Sequence, residues 1–331
     1  MVTTEELNAI LKAFNVSAKC VSCNKIRNVS LYDLSLTPGT RVKDLQKFSD
    51  ELALAMRAKA RPLIRVMSEL GIVRLEVIDE DPHKISFFEE TKRLTTPKGN
   101  IPMYLGSSVD GEDMWTDMAK NPHLLIAGTT GSGKSTLLQV IMANALNLPN
   151  LRICLVDSKN IEFKDYDRFR NVNIANDYKS ALNLLSFLNR EMEYRYRVMS
   201  SESFTLDATK FPNILFMIDE FADLILQDED KAFYTQLCRL AQKSRAAGIY
   251  CVLATQRPSV DIIRGSIKAN FPARISCQVA SHTDSKVILD ASGAELLAGS
   301  GDSIIKNYNN NYKRFQIAYT NAEEVCKIYG K

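Results

Sequence analysis

The sequence predicts an α/β protein in which a mainly parallel sheet, covered by helices on both faces, follows a small α+β domain. From His123 onward, continuous apolar segments alternate with stretches of helical periodicity, a pattern typical of buried parallel strands. The first hundred residues instead combine amphipathic helices with short β-rich segments. We therefore expect two domains, residues 1–100 with a linker and residues 101–331. The predicted strands of the second domain are Leu124–Ala127, Ile153–Val156, Ile214–Ile218, Tyr250–Ala254 and Ile275–Val279.

The N-terminal domain is expected to begin with a helix. Thr3 and Glu6 have the spacing of a capping box, and apolar residues recur at helical intervals as far as Phe14. The segments that follow are, in chain order, a strand at Asn28–Leu36, a helix at Arg41–Lys59, short strands at Leu63–Val66 and Ile72–Ile78, and an irregular linker at Asp79–Gly111.

Composition excludes several classes of protein. The 331 residues are 45% hydrophobic and 24% charged, which is typical of a folded chain and not of a disordered one. A net charge of +3 is too small for a basic surface over the whole chain, so a nucleic-acid partner would have to meet a local cationic patch. No signal pattern and no apolar run of membrane-spanning length is present, so we expect a cytoplasmic protein without membrane insertion.

The cysteines do not indicate a metal site. Seven cysteines are scattered along the chain, and Cys20 and Cys23 form a lone C-x-x-C. Without a second pair, and with three histidines in the whole chain, zinc binding is disfavoured. We expect two reduced thiols before a strand.

The segment GTTGSGKS is the clearest chemical signal in the sequence. It fits G-x-x-x-x-G-K-[ST] and lies between a predicted strand and a predicted helix, as a phosphate-binding P-loop does. Glycines allow backbone N–H groups to surround a phosphate, and the helix N-terminus adds a positive dipole end. Lys134 is expected to reach the β- and γ-phosphates of ATP. The expected nucleotide-binding residues are Gly128, Thr129, Thr130, Gly131, Ser132, Gly133, Lys134, Ser135 and Thr136.

Two acids end the buried strand ILFMIDE. Asp219 is predicted to bind Mg²⁺ together with Ser135, and Glu220 is predicted to act as the general base that activates water. Adjacent acids after a strand also suit the start of a helix, but the upstream P-loop favours catalysis. ATP hydrolysis is therefore predicted.

The strand that ends LATQ carries polar residues at its carboxyl end, where nucleotides bind in doubly wound sheets. We predict that Gln256 senses the γ-phosphate, with Thr255 assisting. The alternative is a turn residue that makes local hydrogen bonds.

Cations cluster at the end of the helix in CRLAQKSRAAGIY. Such residues are ordinary partners of a helix C-terminus, but one of them could also reach the γ-phosphate of a neighbouring subunit as an arginine finger. Arg245 is the first candidate, and Arg274 and Arg195 are the next two.

Taken together, these motifs resemble the FtsK/SpoIIIE family of DNA translocases. The resemblance rests on HLLIAGTTGSGKS, MIDEFADLI, RLAQKSRAAGI, LATQRPSVDIIRGSIKANFPARI and DSKVILD, followed by GAELLAGSGD, all in the family's order. It covers most of His123–Asp302, and the small N-terminal domain and the C-terminal strand and helix are more weakly similar. It implies a RecA-like P-loop ATPase that assembles as a hexameric ring and moves double-stranded DNA through its centre.

The resemblance also implies roles for cations behind the LATQ strand. Arg264 and Lys268 lie in a segment that looks like the family's channel-facing loop, and Arg257 is a further cation there. Contacts to phosphates would be independent of DNA sequence. Without the resemblance, a solvated surface would be the preferred interpretation of this cluster.

We expect this chain to lack the family's membrane anchor and winged-helix module, and the sequence leaves open whether a separate protein supplies anchoring or orientation. A motor of this size would suit DNA packaging or conjugation by a phage or another mobile element. Two other classes remain open: a related ring ATPase that drives protein secretion, and a nucleotide-dependent scaffold with slow turnover. A small GTPase is disfavoured because no N-K-x-D pattern is present.

Overall fold

A computed structural model describes residues 2–26, 29–78, 84–201 and 211–330. The described residues as far as Ile78 form a small α+β unit whose four-stranded antiparallel sheet has the order β1-β2-β4-β3. Its elements are α1 (Thr4–Ala13), β1 (Ala18–Ile26), β2 (Val29–Leu36), α2 (Val42–Lys47), α3 (Ser49–Ala55), β3 (Leu63–Met67) and β4 (Ile72–Ile78).

Most of the predicted N-terminal elements are confirmed. The capping box of α1 is formed, since Thr3 Oγ1 accepts from the Glu6 amide and the Glu6 side chain accepts from the Thr3 amide. The single helix expected at Arg41–Lys59 is wrong, because the chain breaks at Phe48 into α2 and α3. At this break the ring of Phe48 stacks on that of Phe14 with centroids 5.5 Å apart. Asn28, the predicted first residue of β2, lies outside the described residues.

Strand β1 was not predicted from the sequence. A bulge between Cys20 and Ser22 interrupts its alternation, so no regular pattern of apolar residues marks it. Cys20 and Cys23 therefore lie within a strand and not before one. Cys20 is buried, and its Sγ donates to the Ser22 carbonyl oxygen at 3.3 Å.

The second unit is built on a ten-stranded sheet. Short 3₁₀ turns at Lys164–Tyr166 and Ala294–Leu296 supplement its regular elements. These are α4 (Phe87–Arg93), β5 (Pro102–Ser108), β6 (Asp113–Asp117), β7 (Leu124–Ala127), α5 (Lys134–Asn147), β8 (Leu151–Val156), β9 (Val172–Ala175), α6 (Tyr178–Ser201), β10 (Asn213–Ile218), α7 (Phe221–Gln227), α8 (Ala232–Lys243), β11 (Ile249–Thr255), α9 (Gly265–Asn270), β12 (Ala273–Ser276), α10 (His282–Leu289), β13 (Asp302–Lys306), β14 (Tyr312–Ile317) and α11 (Ala322–Tyr329).

The strand order is β6-β5-β14-β13-β12-β7-β11-β10-β8-β9. Strands β12 to β9 in this order are parallel, as predicted, whereas β6, β5, β14, β13 and β12 pair antiparallel. The carboxyl ends of β7, β8, β10 and β11 therefore meet at one edge. Because β7 and β10 both flank β11, the P-loop and the acidic pair meet there.

Both faces of the sheet are covered by helices, as predicted. Along β10, Leu215 and Met217 pack into a core with α5 and α11, whereas Phe216 and Ile218 pack into the opposite core with α6, α7 and α8. This burial on two faces explains why the strand is apolar at every position from Ile214 to Ile218. Within the described ranges, no helix combines the length and the apolar character that crossing a bilayer requires.

The linker expected at Asp79–Gly111 contains a helix and a strand, and its residues 79–83 lie outside the described residues. Helix α4 is capped by Ser86, and β5 starts at Pro102, a strand position where a missing N–H is tolerated. Strand β5 pairs with β14, so it belongs to the large sheet. No continuous apolar run marks β5, because this buried strand contains a proline, a glycine and two serines.

A buried ion-pair network joins the two units. Arg314 of β14 is 1% exposed and donates to both carboxylate oxygens of Asp302, at 2.8 and 2.7 Å. It also donates to Glu76 of β4 at 3.1 Å. Arg65 lies 2.9 Å from the other Glu76 oxygen. The small unit therefore docks through charges that are excluded from solvent.

Candidate nucleotide-binding site

The P-loop connects β7 to α5, as the motif predicts. Its conformation needs glycine at Gly133, which has a φ of 110° and directly precedes α5. A Cβ atom at this position would lie 2.5 Å from the backbone nitrogen of Gly301, so any side chain would displace that neighbouring loop. The backbone around the loop is also held by the segment that follows β12, because the Thr129 amide donates to the Gln278 carbonyl oxygen at 2.9 Å.

A cavity of about 560 Å³ lies against this loop. A volume of this order is within the range of small-molecule and cofactor sites. Most of the predicted nucleotide-binding residues line this cavity together with Gln256. Residues from distant parts of the chain line it as well. The lining residues with predicted roles are Thr129, Thr130, Gly131, Gly133, Lys134, Ser135, Thr136 and Gln256.

Lys134 links the P-loop to the acidic strand. Its side chain is 5% exposed, and its Nζ donates to the Asp219 carbonyl oxygen at 2.7 Å. The same Nζ lies 3.9 Å from Glu220 Oε2. Asp219 and Glu220 thus lie behind Lys134, at the base of the site, and both are buried.

Glu220 is fixed by donors from the end of β11. Thr255 Oγ1 donates to Glu220 Oε1 at 2.6 Å, and the Gln256 amide donates to Glu220 Oε2 at 2.9 Å. Thr255 is completely buried, so its hydroxyl supports the carboxylate. Thr255 was predicted to assist Gln256, and the structure shows its hydroxyl in contact with Glu220.

Asp219 has an unusual electrostatic environment. Burial, together with the nearby Asp157 carboxylate, raises the pKa of Asp219 to about 7, while the Lys134 ammonium acts in the opposite direction. The Oδ1 atoms of Asp219 and Asp157 are both buried, and neither has a hydrogen-bond partner among the described residues. Two carboxylate oxygens without donors are suited to a cation.

The donor set fits Mg²⁺, which prefers oxygen ligands. Besides Asp219 and Asp157, the Ser135 hydroxyl lies at the start of α5, where it donates to Glu162. Ser135 and Asp219 remain the predicted ligands of such an ion, and Asp157 lies near Asp219. A bound Mg²⁺ would neutralise phosphate charge.

The side chain of Gln256 reaches the P-loop. Thr130 Oγ1 donates to Gln256 Oε1 at 3.2 Å, and Gln256 is exposed at the cavity wall. Its backbone amide holds Glu220 at the same time. One residue thus contacts both the loop that would hold phosphate and the predicted general base.

Comparison with known proteins identifies the family. The profile described as the FtsK/SpoIIIE family matches residues 88–206 and 204–260, and the FtsK alpha domain matches residues 1–78. The DNA translocase FtsK of Clostridium acetobutylicum is 34% identical over 349 residues, an alignment that covers 99% of this chain. The chain belongs to the FtsK/SpoIIIE family.

Other FtsK/SpoIIIE relatives are similarly close. The DNA translocase FtsK of Treponema pallidum is 33% identical over 343 residues and is matched by 97% of this chain. The chain spans 45% of the Clostridium protein and 43% of the Treponema protein, which is less than half of either.

Solved structures confirm the P-loop ATPase fold of this FtsK/SpoIIIE chain. The pCW3 conjugation coupling protein TcpA, in its monomer form with ATPγS, has a TM-score of 0.70 at 20% identity and covers 98% of this chain and 99% of its own. The cytoplasmic domain of the type VII secretion ATPase EccC of Thermomonospora curvata has a TM-score of 0.62 at 22% identity, with 72% and 32% covered. At these identities the likeness concerns the fold alone.

The three arginine-finger candidates of this FtsK/SpoIIIE chain differ in exposure. Arg195 is fully buried and donates to Glu191 and to the Ala247 carbonyl oxygen. Arg274 is 5% exposed and donates to Asp290 at 2.6 Å. Both guanidinium groups are therefore held within the chain, whereas Arg245 is exposed near the amino end of β11.

The two residues predicted to contact DNA, Arg264 and Lys268, lie at α9. In the structure, Lys268 forms an ion pair. Lys268 Nζ lies 2.5 Å from Asp290, an acid that the local sequence did not reveal. Burial acts to raise the pKa of Asp290, but hydrogen bonds from Lys268, Lys306 and Arg274 hold that pKa well below its usual range. Arg264 lies over the Tyr234 ring, 5.0 Å from its centroid.

Sequence reasoning missed several residues at the site. Asp157 follows β8 and adjoins Asp219 because β8 lies beside β10, so its position at a strand end could have indicated it. Glu162 and Ser300 had no comparable signal, since each lies in an irregular loop. Lys59 reaches the cavity from the small unit, which no local pattern could predict.

Proposed function

We propose that this chain is an ATP-hydrolysing motor that translocates double-stranded DNA. The observation that carries the proposal is the arrangement of Lys134 and Glu220, a P-loop lysine and a fixed carboxylate 3.9 Å apart, in a chain about a third identical to DNA translocases along nearly its full length.

The geometry supports hydrolysis beyond nucleotide binding. A general base must be held in place beside the reacting phosphate, and Glu220 is held by Thr255 at the end of β11 and by the Gln256 amide that follows it. Lys134 and the P-loop amides would bind the triphosphate of ATP, and Ser135 with Asp219 would bind Mg²⁺. Once bound, the nucleotide would lie between the P-loop and Gln256.

We further propose that identical subunits assemble as a hexameric ring. The exposure of Arg245 at the sheet edge opposite the P-loop supports its role as an arginine finger that acts on the next subunit. A finger of this kind stabilises charge that develops on the transferred phosphate. Arg195 and Arg274 are unsuited because both are buried and paired.

DNA is proposed to contact the segment that follows β11. Arg257 and Arg264 offer cations for phosphates, and Lys268 shares its charge with Asp290. We therefore assign direct contact to Arg264 and expect a weaker contribution from Lys268. Such contacts are independent of base sequence and sensitive to salt. The proposed division into domains 1–100 and 101–331 places the residues of the P-loop, the acidic pair and the segment after β11 in the second domain.

The test is steady-state ATP hydrolysis with and without linear duplex DNA, together with displacement of a bound triplex-forming strand. We expect DNA to stimulate hydrolysis and the triplex strand to be displaced in an ATP-dependent manner. The Lys134→Ala variant is the negative control. Hydrolysis that no duplex stimulates, with no displacement, would overturn DNA translocation and favour a protein-secretion motor. Packaging or conjugation would be distinguished afterwards by the DNA that copurifies.

A further inference from the structure

Lys59, a residue of the small N-terminal unit, lines the cavity of the P-loop unit. Its Nζ donates to the Ser300 hydroxyl at 3.3 Å, and its backbone amide donates to the Ile78 carbonyl oxygen at 3.2 Å. The second bond ties the residue to the end of β4. Lys59 is thus fixed to the small sheet while its ammonium reaches the other unit.

The loop that Lys59 contacts braces the P-loop. The Ser300 amide donates to the Gly131 carbonyl oxygen at 3.2 Å, and the Gly301 amide donates to that of Ser132 at 2.8 Å. Gly299, Ser300 and Gly301 all have positive φ angles, of 72°, 52° and 94°. A non-glycine residue with positive φ is uncommon, so the surrounding contacts determine this conformation.

The buried network anchors the same loop to the small unit. Asp302, which follows the loop directly, accepts from the Ala298 amide at 2.8 Å through Oδ2. The same carboxylate is held by Arg314, which also donates to Glu76 of the small sheet. The small unit therefore contacts residues 298–302 both through this network and through Lys59.

The charge of the cavity suits a polyanion, and Lys59 contributes to it. Three lysines line the cavity, namely Lys59, Lys84 and Lys134, against one acid, Glu162. Lys134 is buried at the base and already contacts Asp219. Lys84 lies over the Tyr319 ring, 3.9 Å from its centroid. Lys59, by contrast, is exposed beside the loop that adjoins Gly131 and Ser132.

We propose that Lys59 binds the phosphate chain of the nucleotide, so that bound nucleotide bridges the small unit and the P-loop unit. This inference rests on the proposed function, because it requires the cavity to hold a nucleoside triphosphate. It adds a binding residue from the N-terminal unit to a site that the motifs confine to the second unit. Nucleotide binding then strengthens the docking of the two units.

The affinity test compares ATPγS binding to the full chain and to three variants. Lys59→Ala should weaken binding about 3- to 10-fold, because one charge-assisted contact is lost. Lys59→Arg should restore most of the affinity, since it keeps the charge. Lys43→Ala, which removes an exposed lysine of α2, should bind as the unchanged chain does. The loss in Lys59→Ala should shrink at higher salt.

The bridging test measures hydrogen exchange of peptides that cover residues 59–78. ATPγS should slow exchange there in the unchanged chain, in which the Lys59 amide is bonded to Ile78. It should not do so in Lys59→Ala at nucleotide concentrations that saturate both proteins. Exchange without nucleotide should match between them, which shows that the variant is folded.

The outcomes separate this inference from the proposed function. If Lys134→Ala abolishes ATPγS binding while Lys59→Ala binds normally, the nucleotide site stands and the role of Lys59 is overturned. Weaker binding that Lys59→Arg does not restore would also overturn it. If the unchanged chain binds no ATPγS, the proposed function itself fails, and the inference fails with it.

Discussion

The Thr255 hydroxyl donates a hydrogen bond of 2.6 Å to Glu220, and both side chains are buried. Thr255 ends β11 and Glu220 follows β10, so the pairing of these two parallel strands places one beside the other. The Gln256 amide adds a second donor to the same carboxylate. The proposed general base thus has its orientation set by the neighbouring strand.

Glu220→Gln should bind ATP and fail to turn it over. The amide keeps an oxygen that accepts from Thr255 but cannot take a proton from water, so the turnover rate should fall by about 100-fold or more. Binding is measured by titration with ATPγS, and turnover by phosphate release. Glu229→Gln, at an exposed acid, is the matched control and should be fully active. Normal turnover in Glu220→Gln would refute the assignment.

Thr255→Val should lower kcat about 10-fold and leave KM nearly unchanged. Valine fills the same buried volume but removes the hydroxyl that positions Glu220. The orientation of the Glu220 carboxylate is therefore lost, while the phosphate-binding loop is unchanged. Thr255→Ser keeps the hydroxyl and should recover most of the rate. A serine variant as slow as the valine variant would indicate that packing matters here and the hydrogen bond does not.

Gln256→Ala should hydrolyse ATP but move DNA poorly. The substitution keeps the backbone amide that holds Glu220 and removes the side chain that contacts Thr130. Hydrolysis and triplex displacement are measured on the same preparation, with Gln46→Ala as a surface control. An equal loss of both activities would show that Gln256 is needed for hydrolysis and does not couple it to movement.

Arg314→Leu should destabilise the fold by about 3–5 kcal/mol. It leaves the Asp302 carboxylate buried without its cation and leaves Glu76 with Arg65 alone, and an unpaired buried charge is costly. The free energy of unfolding is measured in urea. Arg61→Ala breaks an ion pair with Asp50 in which both side chains are more than half exposed, and it should cost less than about 1 kcal/mol. Similar losses in the two variants would contradict the importance of the network.

His123 should make stability depend on pH below neutrality. Burial lowers the pKa of His123 from 6.5 to about 4, and Nδ1 accepts from the Cys251 amide at 3.1 Å, which requires an unprotonated nitrogen. The unfolded chain therefore binds the proton more readily. The stabilisation from neutral His123 is complete above pH 6.5 and is lost as the pH falls towards 4.

The measurement for His123 is the free energy of unfolding between pH 7 and 4.5. His123→Asn removes the titrating group and suits the positive φ of 63° at this position, since asparagine tolerates that conformation. The variant should lose less stability across this range than the unchanged chain. Parallel pH curves for the two proteins would show that His123 does not contribute.

The central strands could be predicted from the sequence, whereas β5 and β6, at the sheet's antiparallel side, could not. Ile214–Ile218 is apolar at every position because it is buried on both faces, and such a run can be recognised from the sequence alone. The segment Pro102–Ser108 is equally buried, but its proline, glycine and serines interrupt the apolar run by which a buried strand is recognised. Its place is decided by pairing with β14, more than 200 residues further along the chain.

By itself, the sequence determined the fold class, the P-loop and the acidic pair, because each depends on residues that are neighbours along the chain. The tertiary structure decided which groups surround them. Thr255 supports Glu220, Asp290 neutralises Lys268, and Lys59 enters the cavity from another unit. These contacts join positions separated by 22 to 241 residues, and only the folded chain brings such positions into contact.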